Sequence, residues 1–261
     1  MHRFYVSPAI LIGAKAGQVV LLRGELAQQI TRVLRMREGD EVWLFDGGVY
    51  EYRTKLVSLG KDEVSGELLT RRRIKTEPLH PVDLYLSLLN KPDKFEWALQ
   101  KCTELGASRF VPVIAERSVS TALGANKRER WERIIQEAVE QSGRGALPIL
   151  EDAIPLDEAL DAESDRMDAS GTHVVVMPAL GADLSLSDAL VDAHSEESSV
   201  SIFIGPEGGF SDDELFAASK RGILLVNLGP RTLRAETAAA AALALTMYEL
   251  GEMGLRSDTM Y

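Results

Sequence analysis

Two short turns near the end of the chain combine the residue types that hold small molecules and stabilise developing charge. Residues 204–211 read IGPEGGFS and residues 228–234 read LGPRTLR, each placed where an apolar run ends. Gly205, Gly208 and Gly209 let backbone amides approach a ligand closely, more than a tight strand-to-helix turn requires. No Lys-Ser or Lys-Thr follows, and the G-x-G-x-x-G spacing is absent, which excludes a Walker-type phosphate loop and a dinucleotide fingerprint. In the second turn Arg231 and Arg234 stand at the mouth of a helix, where the dipole is already positive, so an anion or an anion-forming substrate is expected to answer them. Upstream, ERSVS (116–120) and EQSGR (140–144) each bring an arginine into a polar cluster. His2, His80, His173 and His194 lie outside these clusters, so neither a Ser-His-Asp triad nor a metal site is expected.

The elements around these turns alternate. Residues 82–89 form a near-continuous apolar run, as in a strand buried on both faces, and 93–105 carry a helical stripe of Phe95, Leu99 and Leu105. Strand and helix then alternate from 109–115 through 127–142, 173–177, 184–191, 200–204, 212–221 and 223–228 to an alanine-rich helix over 235–249. That order predicts an α/β fold, a parallel sheet with helices on both faces. Ligands of such sheets sit beyond the carboxyl ends of the strands, where Met177-Pro178, Gly205-Pro206-Glu207 and Leu228-Gly229-Pro230 fall. Ser211 followed by Glu214 predicts a capping box for the next helix. Residues 151–172 are acidic and poor in bulky side chains and are expected to form an exposed, partly mobile excursion.

The first third has a different texture. Strand patterns at 2–6, 18–22, 41–46, 49–57 and 63–70 surround one helical stretch, 25–36, and Gly47-Gly48 closes a hairpin. This predicts a small β-barrel whose loops carry arginines. The proline-bearing stretch 75–81 marks the boundary, giving domains 1–74 and 82–261. The net charge of -11 conceals an uneven distribution: residues 1–76 hold thirteen Lys and Arg against nine Asp and Glu, whereas residues 151–200 hold one against thirteen. A basic first domain keeps a nucleic-acid partner open despite the acidic total. A soluble protein of a reducing cytoplasm is expected, because Cys102 has no second cysteine to pair with and the longest apolar run is about half of the ~20 residues a membrane span needs.

KPDKFEWALQKCTELG (91–106), ERSVS, EQSGR, IGPEGGFS and LGPRTLRAETA, in this order behind a small β-rich domain, resemble the bacterial RsmE family. Its members are S-adenosylmethionine-dependent methyltransferases that make N3-methyluridine in 16S rRNA of the small ribosomal subunit. The resemblance spans nearly the whole chain. It implies a SPOUT-type sheet with a C-terminal trefoil knot, a PUA-like N-terminal RNA-binding barrel, and a homodimer without membrane or metal partners. It further implies a methyl-donor site made by Met177, Pro178, Ile204, Gly205, Pro206, Glu207 and Gly208 with Leu228, Gly229 and Leu233. Arg234, with Arg117 and Arg144, would stabilise the uracil anion, and Glu140 is the candidate base. Arg3, Arg32, Arg35, Arg37, Arg71, Arg72 and Arg231 are the candidates for RNA contact. Two other readings remain open at this point: a non-catalytic RNA-binding ribosome assembly factor, and a small-molecule enzyme of the doubly wound class.

Overall fold

The computed structural model describes residues 1–118, 124–191, 193, 195 and 197–254. Val119 and Ser120 of the ERSVS cluster, and His194, lie outside the described residues. The chain divides into two compact units: residues 1–77 together with 139–147, and residues 78–138 together with 148 onward.

The first unit is built from β1 (Arg3–Tyr5), α1 (Pro8–Leu11), β2 (Val19–Arg23), α2 (Glu25–Gln28), β3 (Glu41–Phe45), β4 (Tyr50–Leu59) and β5 (Glu63–Arg73). They form a five-stranded sheet in the order β1-β3-β4-β5-β2, in which only the β1–β3 pair is parallel. Alternate residues turn inward, so Leu22, Val42, Leu44, Leu56, Val64 and Leu68 make a core with Phe4, Ala27 and Ile30. Two register shifts between β4 and β5 bend the pair. Arg71, Arg72 and Arg73 differ from their expected loop position: they extend β5 and sit opposite Tyr52, Glu51 and Tyr50 of β4. Each of the first two finds an aromatic face, Arg71 over Tyr50 and Arg72 over Trp43.

The expected helix over 25–36 is shorter and irregular. After α2 the chain widens into a π-helical turn, Gln29–Val33, and leaves it through Arg35, whose φ of 52° is the one positive value at a non-glycine residue among those described. Residues 139–147 complete this unit through polar groups. The Tyr5 amide donates to Glu140, the Arg3 guanidinium to the carbonyls of Val139 and Arg144, and the Arg144 guanidinium to Glu77. Burial alone would raise the Glu77 carboxyl, but Arg144 and the amides of Gly145 and Ala146 outweigh it and hold it below the usual carboxylate range.

The second unit holds β6 (Val82–Ser87), α3 (Pro92–Glu104), β7 (Arg109–Ile114), α4 (Ala125–Ser142, its last turn counted with the first unit), β8 (Ile149–Leu150), β9 (Ile154–Pro155), α5 (Leu156–Ser170) and β10 (His173–Pro178). These are followed by α6 (Leu186–Ala189), β11 (Ser199–Ile204), α7 (Asp212–Lys220), β12 (Leu224–Val226) and α8 (Ala235–Glu249). The strands lie in the order β12-β10-β11-β6-β7-β8, every pair parallel. The period-2 alternation of β6 decides the layers. Leu84 and Leu86 pack with α3, α4, α6 and α8, whereas Tyr85 packs with Val175, Met177 and Phe203 against α5 and α7. No helix among the described residues is long and apolar enough to cross a membrane.

The acidic stretch 151–172 is mostly helix, a correction to the exposed excursion expected of it. Leu156, Ala159 and Leu160 recur at helical spacing and bury against the sheet. Glu163 follows them inward, accepts a hydrogen bond from the Tyr85 hydroxyl at 2.6 Å, and lies 2.6 Å from His173 Nε2. Arg109 and Arg166 pair with Asp83 beside it. Asp83, Arg109, His173 and Ser199 stand at the amino ends of their strands, so this ionic cluster occupies the end of the sheet opposite the glycine turns.

Candidate active site

The carboxyl ends of β10, β11 and β12 open into a cavity of about 600 Å³, walled by residues 178–181, 204–210, 227–229 and 231–235. That volume lies within the range of small-molecule sites. Among the described residues, all of its lining comes from the second unit.

The glycine turn after β11 is held from outside. Glu207 accepts from the Asn90 amide, and Arg117 Nη1 donates to the Gly208 carbonyl at 2.8 Å. Ser211 and Glu214 form the expected capping box at the start of α7, and Glu214 also accepts from the Glu116 amide at 2.7 Å. A Cβ at Gly205 would meet the Phe210 ring and amide at 3.2 Å, closer than ordinary contact, so glycine lets the turn fold back on itself without displacing Phe210. The second turn hangs on Asn227, whose side-chain amide donates to the Leu184 carbonyl at 3.0 Å and whose oxygen accepts from the Gly229 amide. Gly229 adopts φ 92°, a left-handed conformation that glycine accommodates. Arg234 is the residue preceding α8; its side chain caps nothing, and it is exposed together with Arg231.

Most of the residues singled out in the sequence converge here. Pro178, Ile204, Gly205, Pro206, Glu207 and Gly208 line the cavity, as do Leu228, Gly229 and Leu233, with Arg117, Arg231 and Arg234. Met177 does not: the strand's alternation turns it into the core against α5 and α7, with no exposed surface. Arg144 and Glu140 also fall outside the lining and are engaged within the first unit, Arg144 being 4% exposed. Arg3 is likewise engaged, paired with Glu51 and stacked on Phe45. Arg72 shares Glu51 but keeps 60% of its side chain exposed. Arg32, Arg35 and Arg37 are exposed, with no ion pair among the described residues. Sequence reading missed Lys94, residues 179–181, Asp212 and Asn227. Lys94 carried the same signal as Arg234, a cation at the amino end of a helix.

A family model described as an RNA methyltransferase domain matches residues 75–247. A ribosomal RNA small subunit methyltransferase E of Bacillus subtilis is 35% identical over 87% of this chain and 89% of its own. The chain belongs to this RNA methyltransferase family. A second model, an RNA methyltransferase PUA domain, matches residues 23–69. The similarly named protein of Synechocystis is 34% identical over 93% of this chain and 76% of its own. Among solved structures, a ribosomal RNA small subunit methyltransferase E from Neisseria gonorrhoeae bound to S-adenosyl methionine superposes with a TM-score of 0.83 at 30% identity. It covers 95% of this chain and 97% of its own. Membership in an RNA methyltransferase family sets aside both the assembly-factor reading and the small-molecule-enzyme reading.

Proposed function

We propose that the protein transfers a methyl group from S-adenosylmethionine to N3 of a uridine in 16S rRNA of the small ribosomal subunit. The observation that carries this reading is the glycine-walled cavity at the strand ends, in a chain of the RNA methyltransferase family. The walls suit the donor. Backbone amides of the glycine turn and the apolar surfaces of Pro178, Ile204, Leu228 and Leu233 can hold a nucleoside without a phosphate site. When bound, S-adenosylmethionine supplies the methyl group on a cationic sulfur. The chain's task is positioning and charge. Uracil must lose its imide proton, and the resulting charge spreads over two carbonyl oxygens. Arg234, exposed at the cavity mouth and free of any capping bond, is assigned to those oxygens. Arg117 is assigned a positioning role, since its Nη1 holds the glycine turn through the Gly208 carbonyl.

Residues 1–74 are assigned to RNA binding and 82–261 to methyl transfer, with Arg32, Arg35, Arg37, Arg71, Arg72 and Arg231 as contacts. The same reading includes a trefoil knot around the cavity, a cytoplasmic location and a homodimer. The exposed Leu245 and Tyr248 on α8, a helix apolar on nearly every side, support an association surface there. Labelled methyl transfer onto small subunits lacking the modification, followed by mapping of the modified nucleoside, tests the function. Label appearing on a base other than uracil, or no transfer at all, would overturn it.

A further inference from the structure

Two charged groups beside the cavity remain unexplained by the site as described. Lys94, in the first turn of α3, lines the cavity, and its ammonium makes no hydrogen bond among the described residues. Its one ion pair, with Glu236 Oε1 in the first turn of α8, is 3.7 Å long, well beyond a charge-assisted hydrogen bond. The other oxygen, Glu236 Oε2, is buried and has no hydrogen-bond partner among the described residues. A cation at a helix N-terminus opposes the dipole, and a buried carboxylate oxygen without a donor is costly; neither is needed to close the helix ends. The pair is held loosely enough to leave all three ammonium donors of Lys94 uncommitted. Glu236 lies two residues beyond Arg234, in the first turn of α8.

We propose, on the reading that the substrate is a uracil, that Lys94 is a further catalytic cation of the methyl transfer and that Glu236 is its positioning residue. The Lys94 ammonium donates to a carbonyl oxygen of the imide. N3 gives its proton to water, the N3 electron pair forms the bond to the methyl carbon, and the carbon–sulfur pair returns to sulfur, leaving two neutral products. Arg117 differs from Lys94 in that its Nη1 is tied to the Gly208 carbonyl at 2.8 Å and to the Phe210 carbonyl at 3.4 Å. The other charged groups lining the cavity are Glu207, Asp212, Arg231 and Arg234.

The test compares Lys94→Ala, Lys94→Arg and Glu236→Gln in the full chain, by calorimetric affinity for S-adenosylmethionine, affinity for small subunits, and single-turnover methyl transfer across pH. Lys94→Ala is expected to keep both affinities within about twofold while the rate falls on the order of 10²-fold. Its rate should also rise at a pH about one unit higher, because a cation beside the imide no longer lowers its pKa. Lys94→Arg should recover part of the rate, and Glu236→Gln should show a smaller loss with the same direction of pH displacement. A wild-type rate in Lys94→Ala overturns the proposal, as does a rate loss matched by lost cofactor affinity, which would assign Lys94 to the donor instead. If the wild-type protein binds the donor yet transfers nothing to a uracil, the functional reading itself fails, and this proposal with it.

Discussion

A valine at position 205 would press into Phe210, whose ring and amide already lie 3.2 Å from where a Cβ would stand. The turn would have to open, and the backbone face it offers the cavity would be lost with it. Gly205→Val is therefore expected to abolish calorimetric binding of S-adenosylmethionine while leaving a cooperative melt; unchanged affinity would mean that the donor binds elsewhere. Arg234→Ala should behave in the opposite way, retaining donor affinity and losing on the order of 10²-fold in methyl transfer, the usual scale for one donor to a developing oxyanion. Turnover at the wild-type rate would remove Arg234 from the mechanism. Arg234 was legible in the sequence because a cation before a helix is an electrostatic misfit. The surroundings of Arg144 were not legible from the same residue type: its partner Glu77 lies 67 residues away, and no local spacing announces such a pair. Met177 shows the limit from another side, since a strand residue beside a site faces either the ligand or the core, and a one-residue difference separates Pro178 in the wall from Met177 beneath it.

At the scale of elements, α5 carries a pH dependence. Burial pushes the Glu163 carboxyl up, yet its hydrogen bonds, led by His173, outweigh burial and hold it at about 2. A carboxyl whose folded pKa is depressed adds stability above its unfolded value and loses it as the pH falls toward the folded one. The contribution is up to roughly 3 kcal/mol, present at neutral pH and draining away from about pH 5 downward. Glu163→Gln should lower the neutral-pH melting temperature and flatten its decline between about pH 5 and 3; a decline as steep as that of the wild type would assign the acid sensitivity elsewhere. The parallel sheet itself was readable from β6, whose six buried residues admit no solvent-facing side. The helix over 156–170 was not, because its apolar stripe is short and one inward position is Glu163, a residue type that composition counts as surface. The partners brought by β6 and β10, with Arg109 and Arg166 beside them, make its burial tolerable. The π-helical turn was hidden too, since a 3.6-residue pattern over 25–36 does not reveal one extra residue in a turn.

For the whole molecule, the charge asymmetry becomes a statement about salt. Arg32, Arg35 and Arg37 are exposed, without ion pairs among the described residues, on a basic unit of an acidic protein, so each should release about one counterion on binding RNA. Replacing all three with alanine is expected to weaken small-subunit affinity and to reduce the slope of log K against log salt by roughly 2 to 3. An unchanged slope would show that the RNA passes elsewhere. The acidic total of -11 is no obstacle, since thirteen of the acidic residues are concentrated in 151–200.

The first unit takes residues 139–147 from far along the chain, and this sets an order in time. When Arg73 has been made, the amide of Tyr5 and the guanidinium of Arg3 still lack the partners that Glu140, Val139 and Arg144 supply. Roughly seventy further residues must be synthesised first, which at about 5–20 residues per second takes several seconds. The part of the protein that emerges first is thus among the last to be finished. A fragment of residues 1–77 should melt well below the same unit in the full chain, and a peptide of residues 137–149 added in excess should raise its melting temperature; a fragment as stable as the intact unit would show that the late segment is dispensable.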